Sequence, residues 1–299
     1  MANTVNTNLQ NNIISQSALE AFTSRLAPVQ AFSTSFNDEA AQRGKTISIT
    51  TLSNTSSAAN FSGTYSSQDT TYGATQITLE KHKFVSWHIT DTERSESSAV
   101  ELQRFGYQKG GDLAKAVFED ILSEVTVANY PDAAGFTGLA STFDADDVAD
   151  LRQDMIDENV PIEQCALVLG NAYYTSLLKD TSISKAFDYG GTEAIRGGEI
   201  PSLFGIGYIF ETASIPDNSE NLIGFIVHPS AMAVAMRYLQ PTNSKEYIAA
   251  RRLYDDSTGM VLGYREFYDA STGTQTAVLE AVYGFEVALS GSLRRMISA

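Results

Sequence analysis

Leu52-Ser-Asn-Thr-Ser-Ser-Ala-Ala-Asn-Phe-Ser-Gly-Thr-Tyr-Ser-Ser-Gln-Asp-Thr-Thr-Tyr-Gly-Ala-Thr75 is built mostly from small polar residues, with Phe61, Tyr65 and Tyr72 spaced among them. Such a strip cannot bury enough apolar surface to fold a core of its own. Unstructured stretches longer than about 12 to 15 residues are uncommon inside compact domains, so this one is read as either disordered or gripping something outside its own subunit, and the second reading points to an assembly protein. Both flanks read as strands. Ile47 and Ile49 alternate with polar residues from Thr46 to Thr51, after Gly44. From Ile77 to Asp91 the odd positions carry Ile77, Leu79, Val85, Trp87 and Ile89, while His82, Ser86 and His88 fill the other face. The pattern predicts a reaching hairpin whose return arm is one long strand.

From Thr92 the period changes. Ala99, Leu102, Phe105, Leu113, Val117, Ile121 and Val125 recur at helical or near-helical spacing. A helix from Glu93 to Val125 would measure roughly 50 Å at 1.5 Å per residue, long enough to act as a spine. Gly106, Gly110 and Gly111 lie inside it, each costing about 1 kcal/mol relative to alanine. A bend or a close contact near Gly110 is therefore expected. Ahead of the hairpin, Leu19, Phe22 and Leu26 give a short amphipathic helix, read as an arm rather than part of the core.

Beyond the spine, Asp144 to Glu158 reads as a helix with acidic residues in its first turn and Val148, Leu151 and Met155 as its apolar stripe. Alternating units follow. Ala166–Leu169 is a strand, Ala172–Leu178 a helix, Gly190 to Gly198 a glycine-rich loop, Gly207–Glu211 and Leu222–Val227 strands, and Pro229–Arg237 a helix with proline in its first turn. Asp255-Asp-Ser-Thr-Gly259 and Asp269-Ala-Ser-Thr-Gly273 then repeat one turn chemistry, which predicts two hairpins joining strands near Tyr247–Tyr254, Met260–Tyr268 and Thr276–Leu289.

Composition narrows the function. The chain has 299 residues, 43% of them hydrophobic, as in a globular protein of one large or two ordinary domains. Its 20 Lys and Arg face 36 Asp and Glu, a net charge of −16 that repels phosphate backbones and anionic membranes at long range. Sequence-specific nucleic-acid binding is not expected. Cys165 is the sole cysteine, which excludes an intrachain disulfide and fits synthesis in a reducing cytoplasm. The opening residues Met1 to Asn8 show no secretory pattern, and no stretch approaches roughly 18 apolar residues, so neither export by the usual route nor a membrane partner is expected.

No catalytic constellation emerges, and catalytic, cofactor-binding and metal-binding residues are all read as none. Gly44-Lys45-Thr46 has the end of a phosphate-binding loop, but Glu39 stands where its leading glycine belongs and a strand follows. Gly205-Ile206-Gly207 lacks a third glycine and a following helix. Asp144, Asp146, Asp147 and Asp150 lack the glycine and terminal glutamate of a calcium loop and are read as helix caps. His82 and His88 share a face but stand about 20 Å apart, too far for one metal. His228, with no nucleophile elbow or zinc-binding histidine pair nearby, is read as a residue at a helix start that hydrogen-bonds locally, and Cys165 as inert packing.

Taken in order, these parts resemble the major capsid protein of tailed bacteriophages, the Hong Kong 97-type α+β shell fold that encapsulin compartments share. Gly44-Lys-Thr-Ile-Ser-Ile49 is similar to the family's approach to its extended loop, and Ala166-Leu-Val-Leu-Gly-Asn-Ala-Tyr-Tyr-Thr-Ser-Leu-Leu-Lys-Asp180 to its axial domain. Ile200-Pro-Ser-Leu-Phe-Gly-Ile-Gly207, Thr212-Ala-Ser-Ile-Pro216 and Phe225-Ile-Val-His-Pro-Ser-Ala-Met-Ala-Val-Ala235 look like the segments that follow. The resemblance implies an N-terminal arm (1–41), an extended hairpin loop (42–80), a peripheral domain with the spine helix (81–140), an axial domain (141–240) whose apical loop runs from Lys185 to Glu199, and returning peripheral strands (241–299). It also implies a non-enzymatic subunit forming pentamers and hexamers around packaged double-stranded DNA, assembled in the bacterial host cytoplasm and ending in the virion. A portal protein would be a further partner, and a decoration protein another candidate. Only some forty residues precede the loop, so a separate scaffolding protein is implied. No lysine lies between Leu52 and Thr75, which removes the loop-lysine weld some relatives use. The alternative within the same fold is an encapsulin shell around enzyme cargo.

Overall fold

The computed structural model describes residues 7–34, 46–53, 60–61, 63, 71–96, 99–181, 183, 200, 202–243, 246–255 and 259–299. A helix, Thr7–Arg25, opens the chain. Strands β1 (Thr46–Ser53), β2 (Thr71–Thr78) and β3 (Lys81–Thr90) lead to helices Asp91–Glu96 and Ala99–Leu122, the second being the spine. Next come β4 (Phe136–Thr137), helix Ala145–Asp157, β5 (Ala166–Gly170), helix Asn171–Lys179, β6 (Tyr208–Thr212), β7 (Leu222–Val227) and β8 (Met232–Arg237). The chain closes with β9 (Ala249–Tyr254), β10 (Val261–Asp269), β11 (Thr274–Val287) and β12 (Leu293–Ile297).

Two five-stranded sheets carry the body. In the first, β3, β11, β10 and β9 lie in that order, and β8 pairs with the far half of β11, from Val282↔Arg237 to Val287↔Met232. The two predicted hairpins are present, closed by Gly259 and Gly273 at positive φ, with Ser271 N–H donating to the Asp269 carboxylate at 2.9 Å. The second sheet has the order β4-β12-β7-β5-β6, and its inner strands β12, β7 and β5 are buried on both sides while β6 is a half-exposed edge. Along β5, Ala166 and Val168 enter one apolar cluster while Leu167 and Leu169 enter the other, the period-two alternation of a strand between two cores.

The spine differs from its reading at both ends. Thr90 and Glu93 cap the helix that starts at Asp91: Thr90 N–H donates to the Glu93 carboxylate at 2.9 Å and Glu93 N–H to the Thr90 hydroxyl at 3.2 Å. Ser97 and Ser98 lie outside the described residues, and the second helix ends at Leu122 rather than Val125. Its last carbonyl is met from far along the chain, since the Asn218 side chain donates to Leu122 O and to Val125 O just beyond the helix, each at 2.8 Å.

The expectation of a close contact near Gly110 holds. A Cβ built there would run into the Ala18 carbonyl, and one at Gly106 would lie 2.6 Å from Ile14 O. The N-terminal helix therefore packs backbone to backbone on the spine. This corrects its reading as an arm outside the core: Ala18, Phe22 and Leu26 are fully buried and belong to the same cluster as Leu113, Val117 and Ile121.

Two further corrections concern strands. Met232–Arg237, expected as a helix behind Pro229, is β8. A short, wholly apolar run fits either period, and here pairing with β11 on one side and Ser33 on the other decides it. The long return strand is in fact two. β2 pairs with β1 and β3 with β11, so the chain changes sheets at Leu79-Glu80. Lys81 and Lys83, which interrupt the apolar alternation, mark the break.

Candidate assembly surfaces

The hairpin pairs from Thr46↔Thr78 outward to Ser53↔Thr71, so Leu52, Ser53 and Thr71–Thr75, read as loop, belong to its ladder. Eight residues per strand give roughly 25 Å of reach. Most of the strip between the strands lies outside the described residues; of those described, Asn60, Phe61 and Gly63 are exposed. Among the residues whose burial is described, those at the root are embedded. Ile47, Ile77 and Leu79 form a small cluster with Ala233 and Ala235 of β8, and Gly284 of β11 lets the Thr78 carbonyl come close, where a Cβ would collide with it.

A polar network braces that root. The Tyr283 hydroxyl donates to the Asp120 carboxylate at 2.6 Å, and Lys81 Nζ stands 3.1 Å from the same carboxylate and 4.1 Å over the Phe285 ring. Lys83 donates to Ala116 O on the spine at 2.8 Å. The first residues past the hairpin are thus fastened to spine and sheet together. Burial pushes the Asp120 carboxyl up, but the Tyr283 hydrogen bond and the lysine charges pull it below the usual carboxylate range overall. A depressed carboxylate contributes stability that is present above its unfolded value, near pH 3.9, and is lost as pH falls through the folded value. Asp120→Asn should lower the melting temperature at pH 7, with the gap to wild type closing below about pH 4 in a thermal-melt series.

A second network gathers at β12. Arg294 and Arg295 on β12 are buried, a pairing chemistry that no sequence signal singled out. Arg294 meets Asp132 at 2.7 Å and Glu158 at 2.9 Å; Arg295 meets Glu220 at 2.6 Å and donates to Tyr130 O and Asp132 O. Burying guanidinium groups is costly unless their donors are met, and here carboxylates and carbonyls from three connections meet them.

The side chains weighed for chemistry are dispersed. His82 binds Glu280 at 3.1 Å, and Glu280 also accepts from Arg265 at 2.7 Å, while His88 is exposed on the same strand. Asp144 and Asp147 form a reciprocal cap on helix Ala145–Asp157, as their spacing predicts. Cys165 is buried, and burial pushes its thiol up to about 11, which keeps it a poor nucleophile. His228 accepts from Ser230 N–H at 3.2 Å, a local bond as expected, though a strand rather than a helix follows. Gly205-Ile206-Gly207 forms a turn into β6, and Gly44, Lys45 and the whole of Lys185–Glu199, with Gly190–Gly198 inside it, lie outside the described residues. Among the described residues no cluster suits a metal ion, and no helix is long and apolar enough to cross a membrane.

No protein-family model and no curated protein matches the sequence. Solved structures do match it. A structure from Mycobacterium phage Che8 is 17% identical over 89% of this chain and 89% of the other, with a TM-score of 0.59. The capsid structure of cyanophage P-SCSP1u is 14% identical over 90% and 86%, again with a TM-score of 0.59. The mature capsid of bacteriophage PhiM1 is 13% identical over 86% and 83%, with a TM-score of 0.54. The chain has the Hong Kong 97-type capsid fold. At such identities the Hong Kong 97-type architecture is shared through the order and packing of elements, while few side chains coincide. The spread of the match over nearly the whole chain includes both sheets.

Proposed function

We propose that this protein is the structural major capsid protein of a tailed bacteriophage, a non-enzymatic subunit that self-assembles into the icosahedral shell enclosing double-stranded DNA. Its nearly full-length likeness to phage capsid structures carries this reading. The embedded root and extended ladder of the hairpin support it, because a paired arm of about 25 Å fixed at one end is suited to reaching across a neighbour. The arm role first given to residues 1–41 narrows, since Ile14 to Phe32 are spent on the subunit's own core. Residues 42–80 then carry the intersubunit reach, 81–140 and 241–299 the peripheral domain, and 141–240 the axial domain. A charge of −16 favours a lining that leaves packaged DNA mobile instead of binding its sequence. Scaffolding and portal proteins complete the expected partners, with assembly in the host cytoplasm and residence in the virion.

Mass photometry and negative-stain microscopy of the purified protein should show closed particles of megadalton mass. A 32.4 kDa species at every concentration overturns the proposal. Particle contents then separate genome-filled shells with a portal vertex from encapsulin-type shells holding an enzyme.

A further inference from the structure

Leu203 to Ile206 form a tight turn in which Leu203 O accepts from Ile206 N–H at 3.0 Å, and both central residues have positive φ, +51° at Phe204 and +83° at Gly205. Turns of this kind take Asn-Gly or Gly-Gly, because a bulky side chain in the left-handed region crowds its own backbone. Here the strained position holds a phenylalanine, and its side chain is 45% exposed. Neither local conformation nor burial among the described residues accounts for it. The turn is also held firmly: Ile206 is buried, Gly207 N–H donates to Cys165 O at 3.0 Å, and β6 pairs with β5 immediately beyond. A strained aromatic on a rigid tip is a preorganised anchor.

A receptor for it lies at the other end of β6. There a cleft of about 400 Å³ is lined by buried Phe118, by Phe210 and exposed Ala213, by Thr212 and Ser214, and by the charged Arg25, Lys115 and Glu211. An apolar cavity of about 150 Å³ suffices for benzene, so one phenyl ring fits with room for the turn behind it. β6 rises about 3.3 Å per residue, which puts the tip roughly 15 Å or more from the cleft and prevents Phe204 from filling its own. Two copies of a chain with charge −16 repel, so contact between them is favoured where cations gather. Arg25 and Lys115 meet here and are offset by Glu211 and by Glu119, 3.6 Å from Lys115, so this rim adds no repulsion of its own, and cations sit favourably against an aromatic ring.

We propose that Phe204 of one subunit inserts into the Phe118–Phe210–Ala213 cleft of the next copy. Knob and socket are different surfaces, so the contact is head-to-tail and closes into a ring when the rotation between subunits permits. The inference rests on the shell reading and names one contact that builds its rings.

Phe204→Asn separates strain from binding, because asparagine accepts the left-handed conformation. The isolated variant should melt at or above the wild-type temperature, while the concentration needed for assembly, followed by mass photometry, rises about tenfold or more. Ala213→Trp, which adds bulk to the cleft's exposed lining, should raise it similarly, and the double variant should be no worse than either alone. A Phe204→Asn protein that assembles at wild-type concentration, or that melts lower, overturns the contact. Wild-type protein that never assembles sinks the shell reading with it, whereas assembling wild type beside an unimpaired variant sinks the contact alone.

Discussion

Gly110→Val should lower the melting temperature by about 6 °C or more and loosen the N-terminal helix from the body, read as faster hydrogen exchange or proteolysis within residues 14–26. On propensity alone, removing a mid-helix glycine stabilises by up to about 1 kcal/mol. Contact reverses the sign. The added Cβ would meet the Ala18 carbonyl oxygen, with the Ala18 carbonyl carbon and Cα both at 2.8 Å, all backbone atoms that no rotamer change can move. The helix Thr7–Arg25 must shift outward as a body, and Gly106 one turn earlier faces Ile14 O with no more room. Such a shift uncovers part of Ile14, Ala18, Phe22 and Leu26, where each large side chain is worth roughly 1.5 to 3 kcal/mol when buried. Overpacking costs about 1 to 3 kcal/mol where side chains can give way, and an unyielding backbone belongs at or above the upper end. At this chain size 1 kcal/mol moves the midpoint by about 2 to 4 °C. Gln108→Ala, on the exposed face of the same helix, should change it by no more than about 2 °C. A Gly110→Val protein as stable as wild type would mean the two helices are not in backbone contact.

The same glycines show what the sequence could and could not convey. Three glycines inside a long helical pattern are a cost that only close packing or a bend can offset, so contact at Gly110 was readable. The identity of the partner was not, because Leu19, Phe22 and Leu26 carry helical spacing without showing what they face. Hairpins closed by Asp-x-Ser-Thr-Gly turns were legible since their chemistry is local. Elements decided by tertiary pairing were not. Met232–Arg237 is a strand because β11 offers a ladder, and the change of sheets at Leu79-Glu80 follows from which strands lie beside Thr78 and Lys81. Asn218 capping the spine across the fold, and Arg294 and Arg295 gathering three acids, leave no periodic signature. For assembly surfaces the polar strip from Leu52 to Thr75 stood out by composition. Phe204 did not, since a Phe-Gly pair declares strain only once its φ is known.

Removing Ser53 to Gly73, with Thr51 and Leu52 rewritten as Asn-Gly to close the shortened ladder at Thr50↔Ala74, should abolish closed shells while leaving a folded subunit. Five rungs from Thr46↔Thr78 to Thr50↔Ala74 survive, and Asn-Gly suits a two-residue hairpin turn. Every described core residue of the root remains: Ile47, Ile77, Leu79, Ala233 and Ala235. Melting should therefore stay within a few degrees of wild type. The loss falls on assembly, because obligate interfaces commonly bury more than about 2,000 Å² in total and the deletion takes away the outer rungs of the ladder with the exposed Asn60, Phe61 and Gly63. Microscopy should show monomers or isolated rings in place of closed particles. Normal shells from the shortened chain would remove the hairpin from the assembly mechanism, and an unfolded product would show that the outer ladder serves the subunit itself. If rings persist without shells, the hairpin joins rings to one another, and the contacts within a ring must come from elsewhere on the subunit, of which the Phe204 turn is the nearest candidate.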